Sequence, residues 1–101
     1  ERLDEHYEEI PDTVPLLKHE PSHFFKNGQC FFSFDPDEVS LPFVINTMSL
    51  GTQVAYASDY PHYDSKFPDS VKLVAERTDI SDQQKSKVLG ENGKSLYHRI
   101  K

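Results

Sequence analysis

The chain has 101 residues, 36% of them hydrophobic, and a formal net charge of -6. That length is one domain, and a chain so short buries only about two-thirds of its unfolded surface, too little for a large enclosed cavity of its own. The acidic balance excludes an electrostatic grip on nucleic acid or an anionic membrane. No apolar run approaches the roughly 20 residues of a membrane span, and a single cysteine excludes an internal disulfide and fits a reducing, cytoplasmic setting.

Leu3, Tyr7 and Ile10 recur at helical spacing and predict a helix over residues 1–9 that stops before Pro11. A helix opening without cap or lead-in reads as a cut inside an element, so the chain is expected to be a piece of something longer. Residues 11–21 hold three prolines and read as an irregular connection. Pro21 opens a helical turn over 21–28, and Gly28 offers a left-handed stop. The aromatic run 29–34 reads as a buried strand. After the turn Asp35–Glu38, Ser40 caps a helix over 41–50 followed by Gly51. Residues 52–58 read as a second strand and 59–66 as a polar and aromatic loop. A helix is expected over 68–77, with Val71, Val74 and Ala75 on one stripe. Ser81 and Gln84 form a capping box for a helix over 82–89 ended by Gly90. Asn92 caps a last helix carrying Leu96 and Ile100 on one side.

Both strands are apolar throughout, the mark of a parallel sheet covered on two faces, and the segment 29–58 has the size of a βαβ unit. Two strands make no stable sheet, so the remaining strands are expected upstream or from another chain. In parallel α/β folds ligands bind beyond the carboxyl ends of the strands. Strand 52–58 ends at Asp59. With a period of two, Gln53, Ala55 and Ala57 share the inner face with it, while Val54 and Tyr56 face outer helices. Two readings of Asp59 stand side by side: a metal ligand or general base at the rim, and a loop-opening acid bonded to its own backbone. His62 is a candidate for substrate or metal, against a plain solvated loop histidine. His19 and His23 are four apart with Pro21 between them, which denies them a continuous helical face. His6 and His98 fall on predicted helices as surface residues. Asp35, Asp37 and Glu38 lack the ligand spacing and central glycine of a calcium loop, and read as caps for helix 41–50. Cys30, among phenylalanines, reads as a core residue. No Gly-rich phosphate loop, nucleophile elbow or C-x-x-C pattern occurs.

The runs Tyr56-Ala57-Ser58-Asp59-Tyr60-Pro61-His62, Phe67-Pro68-Asp69 and Val88-Leu89-Gly90-Glu91-Asn92 with Leu96-Tyr97 come in this order. So do Arg2–Tyr7 and Cys30–Glu38 before them. Together they resemble the C-terminal end of the amidohydrolase-related family, in the branch of aminocarboxymuconate-semialdehyde decarboxylase and the γ-resorcylate-type decarboxylases. The resemblance spans nearly the whole chain. It implies an α/β fold, a C-terminal βαβα fragment holding strands seven and eight of a TIM (β/α)8 barrel, all within one metal-dependent hydrolase domain and with no separate second domain. It implies a divalent metal, zinc by preference, in the full-length parent. Asp59 would be the strand-eight acid that touches this metal and positions or deprotonates its water; the resemblance carries no role over to His62, which stays a substrate-binding candidate on its residue type alone. The family's H-x-H pair and its histidines from the middle strands are missing here, so the isolated chain is expected to hold no metal and to be inactive. Asn92-Gly93 stands where the family tail often reads Asn-Ala.

The expected function is thus that of a C-terminal fragment of a metal-dependent hydrolase or non-oxidative decarboxylase of a small carboxylated substrate. Its expected partners are the remainder of its own barrel or copies of itself, with no nucleic acid and no membrane. The alternative is a small non-enzymatic α/β interaction module complete at this length.

Overall fold

The structure, a computed structural model, describes residues 2–97 and 99. Two compact units make up the chain, Glu1–Cys30 and Phe31–Lys101.

In the first unit α1 (Arg2–Glu9) and α2 (Pro21–Lys26) flank a linker with one 3₁₀ turn at Pro11–Thr13. Pro21 fits the first position of α2, where its missing N–H is no loss. Glu20, before it, makes no side-chain cap. The acceptor comes instead from α1: Ser22 N–H donates to Asp4 Oδ1 at 2.8 Å. That bond holds the Asp4 carboxyl below its ordinary pKa. Gly28 follows α2 at φ 88, the left-handed stop expected of it. Neither helix buries a residue; Leu3 and Ile10 of the predicted stripe are exposed and Tyr7 is half-buried.

The second unit carries α3 (Leu41–Asn46), α4 (Ser70–Ala75), α5 (Asp82–Ser86) and α6 (Asn92–Leu96). Its core joins Phe34, Leu41, Ile45, Val54, Val74 and Val88. Gly51 passes so close to α3 that a Cβ there would sit 3.2 Å from Ile45 Cγ2, which explains a glycine at that point. No helix among the described residues is long and apolar enough to cross a membrane.

The expected α/β architecture does not form. Among the described residues segments 29–34 and 52–58 share one isolated parallel bridge, Phe32 with Val54. Phe32 N–H donates to Gln53 O at 2.8 Å and Ala55 N–H to Phe32 O at 2.9 Å. A parallel ladder needs such bonds in succession, and both ends are diverted. Upstream, Gln53 N–H turns back to Leu50 O; downstream, Tyr56 N–H leaves the pair for Val88 O at 2.8 Å. The described part is therefore helical with two extended segments, and the βαβα fragment of a TIM barrel is not what these residues build. The inner and outer faces assigned to 53–57 fail with it. Val54 and Gln53 are both buried and Ala57 is exposed.

Several helix ends also differ. Ser40 is already in helical conformation and makes no cap bond; its hydroxyl donates to Glu38 Oε1. The 35–38 turn is held by Arg77 rather than capping α3. The Arg77 guanidinium donates to Pro36 O (2.8 Å) and Glu38 O (2.9 Å), while a bidentate pair with Asp79 keeps that carboxyl below its ordinary pKa. On α4 only Val74 of the expected stripe enters the core. The Ser81–Gln84 capping box is present in both directions.

Gly90 does not stop the helix. Lys87–Glu91 form a π turn running into α6. Asn92 N–H reaches back to Lys87 O, one residue further than in an α-helix, so the Val88 carbonyl is available to Tyr56 N–H. Asn92 is 5% exposed. Its Nδ2 donates to Gly51 O at 2.8 Å and Val54 O at 2.7 Å, a clamp rather than the cap expected of it. The expected partner of Leu96, Ile100, lies outside the described residues, as does His98.

Replacing Asn92 by Ala removes two hydrogen bonds and strands two carbonyls, so urea denaturation is expected to show a loss of about 2–3 kcal/mol. A loss within the roughly 0.5 kcal/mol of an ordinary surface substitution contradicts the clamp.

Candidate functional site

The loop 58–67 is built from short turns that its polar residues close on themselves. Asp59 sits at φ 52, a left-handed conformation that Asp tolerates better than most residues because its short side chain bonds locally. His62 N–H donates to Asp59 O at 2.8 Å and Ser65 N–H to His62 O at 3.1 Å, two consecutive turns. Ser65 Oγ then donates to Ser58 O at 2.6 Å and accepts from Phe67 N–H at 3.3 Å. Tyr60 and Phe67 meet beside this closure, ring centroids 4.6 Å apart.

These turns bring Asp59, His62 and Asp64 together, with one donor atom from each within 4.8 Å of the others. His62 Nδ1 lies 2.5 Å from Asp64 Oδ1 and 3.7 Å from Asp59 Oδ2. All three face solvent, with side-chain exposures of 55% for His62, 62% for Asp64 and 78% for Asp59. The hydrogen bond to Asp64, then that carboxylate's charge and more weakly that of Asp59, raises the His62 pKa above its ordinary value. The same bond lowers that of Asp64.

The two sequence candidates, Asp59 and His62, are thus brought into one cluster. Asp64 was not among the expected site residues, although the spacing Asp-x-x-His-x-Asp across consecutive turns carries the signal. The other candidates do not join it. His19 and His23 stack on each other at 4.2 Å between centroids, with Phe24 edge-on to both. His6 is exposed on α1, Cys30 is half-buried, and Asp35, Asp37 and Glu38 stay in their own turn, Asp37 with Lys66 at 3.7 Å. Among the described residues no other group of three such side chains could share a cation.

Two carboxylates and an imidazole suit a divalent cation of intermediate hardness, such as zinc or manganese. The imidazole ligates only when neutral, so a cation competes with the proton that Asp64 stabilises on His62. A comparison with protein-family models and with curated proteins finds no match to the chain.

The raised folded-state pKa of His62 means that its contribution to stability is fully present below the ordinary histidine value. It is lost as pH rises through the higher folded value. Asp64, shifted down, contributes above its ordinary value and loses this as pH falls through the lower folded one. The pair is therefore strongest between the usual carboxylate and histidine ranges. NMR titration is expected to place His62 above about 6.5, with Asp64→Asn lowering it and Asp59→Asn lowering it less. A His62 value unmoved by Asp64→Asn contradicts the pairing.

Proposed function

We propose that the loop 59–64 supplies a carboxylate–imidazole set to the divalent-metal centre of a hydrolase or non-oxidative decarboxylase that acts on a small carboxylated substrate. The convergence of Asp59, His62 and Asp64 carries the reading, and the similarity of the Tyr56–His62 run to the amidohydrolase-related family supports it. Asp59 and Asp64 are the anionic ligands and His62 the neutral one; a divalent cation held there supplies Lewis acidity and lowers the pKa of water towards about 7. Asp59 Oδ2 lies 3.7 Å from His62 Nδ1, and in this reading the second oxygen of its carboxylate serves as the general base.

The remaining ligands and the walls of the substrate site come, in this reading, from protein that packs against this chain. Phe43, Phe67 and Val39 stand exposed, and the buried Tyr56 hydroxyl finds no hydrogen-bond partner among the described residues. A polypeptide covering these groups would remove their apolar surface from water. The chain on its own is inactive in this proposal, and its loop, with all three side chains more than half exposed, holds a cation weakly.

In the full-length parent, Asp59→Asn is expected to lower kcat by at least about 10²-fold, the lower bound for a positioned acid–base group. Asn tolerates the left-handed conformation as well as Asp does, so circular dichroism should be unchanged. Turnover like that of the parent removes Asp59 from the chemistry. For the isolated chain, calorimetry with zinc is expected to show no stoichiometric site of micromolar or better affinity, since three exposed ligands on one loop surface lack the enclosure of a resident site; such a site would contradict the need for further ligands.

A further inference from the structure

The chain contains two Asn-Gly pairs, Asn27-Gly28 and Asn92-Gly93. An asparagine before glycine is chemically labile. The glycine N attacks the asparagine Cγ, the Cγ–Nδ2 bond breaks, and ammonia leaves carrying the proton of the glycine amide. A five-membered succinimide remains, and water opens it at either carbonyl to aspartate or isoaspartate. Nothing is oxidised or reduced, and water is the sole co-reactant. Glycine favours the ring closure because it has no side chain to obstruct the attack and its backbone turns freely.

The two pairs sit in opposite surroundings. Asn27 is exposed just past the end of α2, and Gly28 follows at φ 88 with open space where a Cβ would be. Gln29 N–H donates to Asn27 Oδ1 at 3.1 Å. That bond polarises the side-chain carbonyl and stabilises the oxyanion that develops when Gly28 N adds to it. Asn92, in contrast, is buried inside α6, and its leaving nitrogen donates to Gly51 O and Val54 O. Gly93 is held in the same helix, its carbonyl accepting from Tyr97 N–H. Ring closure at Asn92 requires both side-chain bonds to break and the helix to unwind.

We infer that Asn27 is a site of spontaneous deamidation and isoaspartate formation in the folded chain, and that Asn92 is protected by its clamp. The product at position 27 places a carboxylate at the C-terminal end of α2, where the helix dipole is negative and disfavours it. Isoaspartate also adds a methylene to the main chain and moves the carbonyl that accepts from Gln29 N–H out of the side chain into the main chain.

The test is incubation of the folded chain at mildly alkaline pH, with peptide mapping by mass spectrometry and isoelectric focusing. The Asn27 peptide is expected to convert to aspartate and isoaspartate forms at least about tenfold faster than the Asn92 peptide, because Asn92 reacts only from a locally opened state. In concentrated urea the two rates should converge. The Asn27→Gln variant, whose longer side chain does not close the five-membered ring, should lose the early acidic species. Equal rates at the two sites in the folded chain, an unmodified Asn27, or an acidic species that persists in Asn27→Gln would overturn the inference.

Discussion

Asn92 donates from one side-chain nitrogen to the carbonyls of Gly51 and Val54, and the larger unit is organised around that pair of bonds. The segment 51–56 has lost the ladder that would otherwise satisfy its backbone, since it shares a single bridge with Phe32. Buried carbonyls need partners, and the helical side provides them. The π turn completes the arrangement by presenting Val88 O to Tyr56 N–H. A sheet strand is thereby replaced by an extended segment stitched to helices, and the chain beyond Tyr56 is delivered to the turns that hold Asp59.

Helices were legible where the signal was local. The Ser81–Gln84 box, Pro21 at the start of α2 and the left-handed Gly28 each act within a few residues of themselves, and each acts as its chemistry predicts. The strands were not legible, because an uninterrupted apolar run such as 29–34 has the same composition whether it pairs with neighbours or lies extended under helices. What decides is the partner for each N–H and C=O, and that partner is far away in sequence. Asn92 shows the same limit in one residue: a side chain suited to capping is equally suited to satisfying two distant carbonyls. Gly90, suited to a stop, is equally tolerated inside a π turn.

For the candidate site, residue type singled out Asp59 and His62, and turn geometry brings Asp64 beside them. The backbone bonds between positions 59, 62 and 65 fold the loop so that side chains two and three apart converge. The convergence has an electrostatic consequence. Asp64 favours the proton on His62, and a cation must displace that proton before the imidazole can ligate. Proton and metal therefore compete for one nitrogen, and the outcome depends on how well the surroundings exclude water from the loop. With exposures above one half for all three side chains, solvent screens both interactions heavily.

The claim that the three side chains act as one cation-binding set is tested most directly by paramagnetic broadening of backbone amide signals with substoichiometric manganese, which reports even weak sites. Broadening is expected to centre on residues 59–64, to weaken on acidification as His62 takes its proton, and to leave the acidic turn 35–38 clearly less affected. Equal broadening at both acidic segments, unchanged by Asp59→Asn, would show only diffuse attraction to negative charge and would contradict the claim.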